Sequence, residues 1–228
     1  MSQETSRRYR LSPQQRHLWV LQQADGDDPY RTQGVILIEG NIEKQKLLQA
    51  VEIVVDEIEI LRTVFDRLPT MTLPFQLVSD SVKPRVSTHD LTGLEPHRQE
   101  AEISKLLRQF KEQPFDFAKG PLLKLGLVEL SRQKHVLLVE VSSLCMDERG
   151  LENLTRALSR AYSVQLNKES TDDPIQYADI AEWHNELLEA EERQTGRAAK
   201  KTRAALAWQR HYTCSRILRF QGRGFRRA

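Results

Sequence analysis

LLKLGLVELSRQKHVLLVEV (residues 122–141) holds two apolar runs, 122–130 and 135–141, parted by Ser131-Arg132-Gln133-Lys134. Both runs are of strand length and rich in Leu and Val, and a four-residue polar link is too short for a parallel crossover. They are predicted to pair as an antiparallel hairpin.

Working outward, residues 142–150 (SSLCMDERG) follow the second run directly. They lead into a helix expected over about 151–162, with Leu154, Leu158 and Tyr162 on its inner face. A strand-to-helix loop of this kind is where an acyl-transfer enzyme places a base, yet this one contains no histidine. Its strongly ionised residues are Asp147, Glu148 and Arg149. On the other side, Lys119-Gly120-Pro121 forms a turn, preceded by a helix over 96–113 with Ile103, Leu106, Leu107 and Phe110 on one side.

Nearer the N-terminus, Leu11-Ser12-Pro13 signals a helix start, with Ser12 as N-cap and Pro13 at the first helical position, where its missing N–H costs nothing. Leu18, Leu21 and Trp19 supply that helix's apolar face. Residues 34–40 (GVILIEG) are β-branched and strand-like. Residues 42–59 carry Leu47, Leu48, Val51, Val54, Val55 and Ile58 at helical intervals. Residues 61–65 read as a short extended piece and 75–78 as a strand that Pro74 and Pro84 confine to an edge or bound. A last helix, 174–192, has Ile175, Tyr177, Ile180, Trp183 and Leu187 or Leu188 as its apolar stripe.

Helices mixed with a hairpin predict an α/β two-layer sandwich with a mixed sheet rather than a doubly wound nucleotide-binding domain. GxGxxG, GxxxxGK[ST] and HExxH are all absent from the sequence.

The 228 residues, 39% apolar, suffice for one ordinary core. The formal charge of +2 hides a division: of 34 basic and 32 acidic side chains, residues 193–228 hold 11 basic and no acidic ones. Residues 1–192 are therefore read as the folded body, and 193–228 as a basic, poorly ordered tail, with 198–208 the one stretch of helical character. The body is net acidic and offers no electrostatic footprint for nucleic acid, so no specific nucleic-acid partner is expected. Cys145 and Cys214 show no metal or disulfide spacing. The first residues lack the apolar stretch of a signal peptide and no run reaches membrane-span length, so a soluble, cytoplasmic protein without membrane association is expected.

Four stretches together resemble the condensation domains of nonribosomal peptide synthetases over about the first 190 residues. Leu11-Ser12-Pro13-Gln14-Gln15-Arg16-His17-Leu18-Trp19 is similar to the family's S-x-A-Q-x-R-L-W, with His17 as an extra step. Glu59-Ile60-Leu61-Arg62-Thr63-Val64-Phe65 is similar to R-H-E-x-L-R-T-x-F, with Glu57-Ile58 in place of Arg-His. The H-H-x-x-x-D-G motif falls on Ser142, Ser143, Leu144, Cys145, Met146, Asp147 and Glu148. Tyr177-Ala178-Asp179-Ile180-Ala181-Glu182-Trp183 follows Y-x-D-[FY]-A-x-W closely.

The resemblance implies one lobe of a chloramphenicol acetyltransferase-like fold, whose two lobes form a V with a tunnel between them. It covers the amino-terminal lobe only, since the motifs of the second lobe have no counterpart after Trp183. It also implies the family reaction, in which an acyl or peptidyl thioester on one carrier protein joins an amine held on another. Substrates then ride on the phosphopantetheine of carrier proteins, and the chain needs no cofactor or metal of its own. Carrier proteins, neighbouring synthetase modules or a missing second lobe are the implied partners.

Ser143 stands at the position of the catalytic histidine, and a serine hydroxyl is no base near neutral pH without a partner. Asp147 is expected to form a structural salt bridge with Arg62, and Glu148 to burden a backbone position that favours glycine. Cys145 reads as a buried, inert thiol, His135 as a surface or packing residue, and Trp19 and Trp183 as core. The expectation is a truncated, degenerate lobe, inactive alone, from a shifted or premature reading frame. The alternative is a non-catalytic carrier-binding or scaffolding module, and catalysis with a lobe supplied by another chain is a third.

Overall fold

A computed structural model describes residues 7–25, 30–83, 86–163, 175–195 and 215–221. In chain order the elements are β1 (Arg8–Arg10), α1 (Pro13–Asp25), β2 (Arg31–Glu39), α2 (Lys44–Glu57), a 3-10 turn (Glu59–Arg62), β3 (Thr63–Asp66), β4 (Phe75–Val78), β5 (Val86–Asp90), α3 (Pro96–Glu112), β6 (Leu123–Ser131), β7 (Lys134–Ser142), α4 (Glu148–Ser163), α5 (Tyr177–Thr195) and β8 (Ser215–Gln221).

The expected hairpin is β6–β7, antiparallel, with a register shift between Glu129 and Ser131. It sits at the centre of a five-stranded sheet of order β5-β6-β7-β2-β8. β5 runs parallel to β6 and β8 parallel to β2, whereas β2 is antiparallel to β7, so the sheet is mixed.

Alternation along these strands sends side chains to two cores. Ile36, Ile38, Leu123, Leu125, Leu127, Leu137, Val139 and Val141 meet α2 and α4 on one face. Val35, Leu37, Val128, Val136 and Leu138 meet Ile103, Leu106, Leu107 and Phe110 of α3 on the other. The expected two-layer sandwich is corrected on this point. Both faces of a strand such as β7 are apolar, and each needs its own helical cover.

A smaller sheet of order β1-β4-β3 stands beside the larger one. β4 is its middle strand, so Pro74 bounds that strand and does not place it at an edge. Residues 59–62 are a 3-10 turn, so Leu61 and Arg62, expected to open the extended piece, are not extended. Ser215–Gln221 belongs to the segment expected to be a poorly ordered tail, yet it pairs with β2 over seven positions. The expected helical stretch at 198–208 lies outside the described residues.

Candidate functional site

β7 ends at Ser142, and the chain turns there because the strand's last groups find new partners. The Ser142 carbonyl accepts from the N–H groups of Cys145 (2.9 Å) and Met146 (3.1 Å), while Ser143 N–H donates to Tyr30 O at 3.0 Å. Ser142 is fully buried and its hydroxyl accepts from Leu144 N–H at 3.3 Å. The Ser143 hydroxyl lies 3.4 Å from that of Thr32, and Thr32 in turn donates to Met146 O at 3.0 Å. With the Thr32 proton committed to that carbonyl, Ser143 is left as donor to a neutral oxygen. Among the described residues no histidine or carboxylate is hydrogen-bonded to it.

Residues of the first and fourth motifs close around this loop. Ser12 and Gln15 form a reciprocal cap on α1: Gln15 N–H donates to Ser12 Oγ (3.2 Å) and Ser12 N–H to Gln15 Oε1 (2.9 Å). The Gln15 amide then donates to Leu144 O at 2.9 Å and Gln76 Oε1 at 3.0 Å, tying α1 to the loop and to β4. Tyr177 Oη meets Ser12 Oγ at 2.9 Å, which brings in the start of α5. Burial, and the nearness of Cys145 and Asp147, raise the Tyr177 phenol above its ordinary pKa. Burial likewise drives the Cys145 thiol far up, which makes it inert.

Asp147 does not pair with Arg62. It is exposed and immediately precedes α4, where Oδ1 accepts from Gly150 N–H at 2.8 Å and its carbonyl takes the Leu151 N–H at 3.0 Å, as an N-cap does. Arg62 instead turns to Asp80 and Glu59. Glu148 opens α4 with helical backbone, so its side chain meets no left-handed strain; an acidic residue in the first turn also suits the helix dipole.

Of the remaining motif residues, Arg16 donates to Asn185 Oδ1. Trp19 is buried, edge-on to Phe117 with ring centroids 5.8 Å apart. Asp179 Oδ2 accepts from Gln176 N–H at 3.3 Å ahead of α5. Trp183 is 56% exposed, which corrects its expected core role. His135 is buried in the sheet as a packing residue.

A buried charge cluster that the sequence reading missed lies three residues before Ser143. Glu140 lies between Arg31 (3.4 Å) and Lys124 (3.0 Å), and both cations stand over the Phe115 ring at 5.0 and 4.4 Å. Periodicity reads these residues as the polar positions of half-buried strands. The signal available was Lys124 and Glu140 inside otherwise apolar runs, with Arg31 and Gln33 just ahead of another.

No group of three or more potential metal ligands occurs among the described residues. No described helix is long and apolar enough to cross a membrane.

A family model for the condensation domain matches residues 5–198. The chain belongs to the condensation-domain family. It is similar to chondramide synthase cmdD of Chondromyces crocatus, 32% identical over 180 residues, covering 77% of this chain and 5% of that protein. Tyrocidine synthase 2 of Brevibacillus parabrevis is 29% identical over 185 residues, again covering 5% of that protein. Among solved structures, the starter condensation domain of the rhizomide synthetase RzmA superposes with a TM-score of 0.70 at 22% identity, covering 83% of this chain and 46% of that one. The condensation domain from the monacolin K polyketide synthase MokA gives 0.71 at 23% identity, over 82% and 41% of the two chains. These likenesses show the fold. The chain thus spans about a twentieth of those two synthases and under half of those solved chains.

Proposed function

We propose that this chain is a degenerate condensation-type lobe: it keeps the family's amino-terminal scaffold and does not itself supply the group that handles the proton in amide formation. The observation that carries the reading is the Ser143 hydroxyl, whose hydrogen bond runs to Thr32. Attack of an amine on a thioester needs the nitrogen held close to the carbonyl and a partner for its proton or developing charge. A hydroxyl bonded to a second hydroxyl is a poor acceptor for that proton.

The substrates in question are those of the family, an acyl thioester and an amine each carried on the phosphopantetheine arm of a carrier protein. The test supplies both loaded carriers to the full chain and looks for amide product by mass spectrometry. No product above the carrier-only blank is expected; product lost on Ser143→Ala overturns the proposal.

A second reading, a non-catalytic module that binds carrier proteins or scaffolds an assembly, draws on the intact network from Tyr177 through Ser12 and Gln15 to Leu144 O. A loop held this firmly without a base has a structural use. Calorimetric titration with a loaded carrier protein tests it, and absence of binding at high micromolar carrier removes it.

A further inference from the structure

The two sides of the larger sheet differ in character. β5 ends one side with five residues, four of them polar (Ser87, Thr88, His89, Asp90), as short polar edge strands do when they must repel stray strands. On the other side, β2 runs for nine residues around Val35-Ile36-Leu37-Ile38, with no Pro, no Lys and no bulge in its pairing with β7. Uncovered, such an edge is a template for strand addition.

Ser215–Gln221 meets that edge in unbroken parallel register, from Gln33↔Ser215 to Glu39↔Gln221. The register sets Leu218 and Phe220 beside Ile36 and Ile38, two residues of the α2/α4 core. Nineteen residues separate Thr195 from Ser215, enough to span up to about 65 Å when extended.

We propose that the outer edge of β2 is a strand-accepting site and that Ser215–Gln221 is its resident occupant, docking and leaving without dismantling the β6–β7 hairpin. Two features support separability. Among the described residues β8 pairs with one strand only, and parallel pairs are slightly weaker per residue than antiparallel ones. The ligand class this edge fits is an extended segment, parallel to β2, with apolar residues at the positions of Leu218 and Phe220, held mainly by main-chain hydrogen bonds. The inference is independent of whether the Ser142–Ser143 loop is catalytic.

Hydrogen exchange on the full chain, with Leu218→Pro as variant, tests it. In the parent chain the β2 amides directed away from β7 are expected to exchange at least tenfold more slowly than the outward amides of β5. Leu218→Pro is expected to release those β2 amides and leave β6–β7 protection unchanged. A labelled peptide with the sequence of residues 215–221 is expected to bind the variant at least tenfold more tightly than the parent, and a scrambled peptide neither. Four results overturn the proposal: unprotected outward β2 amides in the parent, collapse of β6–β7 protection in the variant, equal or absent peptide binding to the two, or a parent dimer exchanging this strand between copies.

Discussion

Glu140 is one carboxylate facing two cations, Arg31 and Lys124. The C-terminal end of α3 also receives both of them. Arg31 Nη1 donates to the carbonyls of Phe110 (3.3 Å), Lys111 (3.0 Å) and Gln113 (2.9 Å), and Lys124 Nζ to those of Phe110 (2.6 Å) and Gln113. These are the unsatisfied carbonyls at the negative end of the helix dipole. Removing the carboxylate takes a buried counter-charge from both cations, and breaking a buried pair on one side costs about 3–5 kcal/mol. Glu140→Ala is expected to lose that much in urea unfolding, far more than Asp80→Ala, whose pair with Arg62 sits on a carboxylate 82% exposed. His135 adds a pH dependence. Burial holds its imidazole below the ordinary value of 6.5, against a smaller upward pull from Glu129 and with a smaller downward push from Lys44. The unfolded chain therefore binds the proton more readily. The contribution of neutral His135 is fully present above pH 6.5 and is lost as pH falls below it. His135→Gln is expected to flatten the stability profile between pH 7 and 5, which chemical denaturation at stepped pH measures.

At the scale of elements, the order of helices and the hairpin were legible because their signals are local. Ser12-Pro13 announced α1 through a cap that the structure forms and completes with Gln15. The three- and four-residue spacing of α2 and α3 survived to within two residues at either end. What failed to announce itself depends on distant partners. β1 is three residues of Arg-Tyr-Arg and β5 is mostly polar, so neither has an apolar alternation to detect. β8 lies in a segment whose composition suggested nothing to pack against. Asp147 was assigned to the wrong partner because the motif gives its position but not its direction. As the N-cap of α4, Asp147→Ala is expected to cost about 1 kcal/mol, with Asp147→Ser or Asn retaining most of it. Gly34 is a stricter constraint. A Cβ there falls 2.3 Å from Leu151 Cδ2 of α4. Gly34→Ala is expected to destabilise by about 1–3 kcal/mol through overpacking, and Gly34→Ala with Leu151→Ala to be less than additive. Thermal unfolding of the four proteins of that cycle checks both statements.

Over the whole molecule, an apolar pattern reports which residues avoid water and not which ones a neighbour covers. α5 shows the difference. Its packed face is small and partly polar: Ala178, Ala181 and Asn185 are buried, and Asn185 Nδ2 donates to Leu11 O at 3.0 Å. Arg10 clamps the same helix through Glu182 and Glu189. Ile180, Trp183 and Leu187, which a periodicity reading assigns to the core, stand 38%, 56% and 43% exposed on another face. The two motif tryptophans therefore have opposite roles in this chain. Trp19 joins the core that unites α1 with the hairpin sheet, so Trp19→Ala is expected to cost about 3–5 kcal/mol. Trp183→Lys is expected to change stability by no more than about 0.5 kcal/mol, because it leaves no cavity and strands no buried partner. Urea titration of both variants, followed by far-UV circular dichroism so that loss of a tryptophan does not alter the signal, separates the cases. A Trp183→Lys penalty as large as that of Trp19→Ala means that the outer face of α5 is covered in solution, and that the fold extends over a surface the described elements leave open.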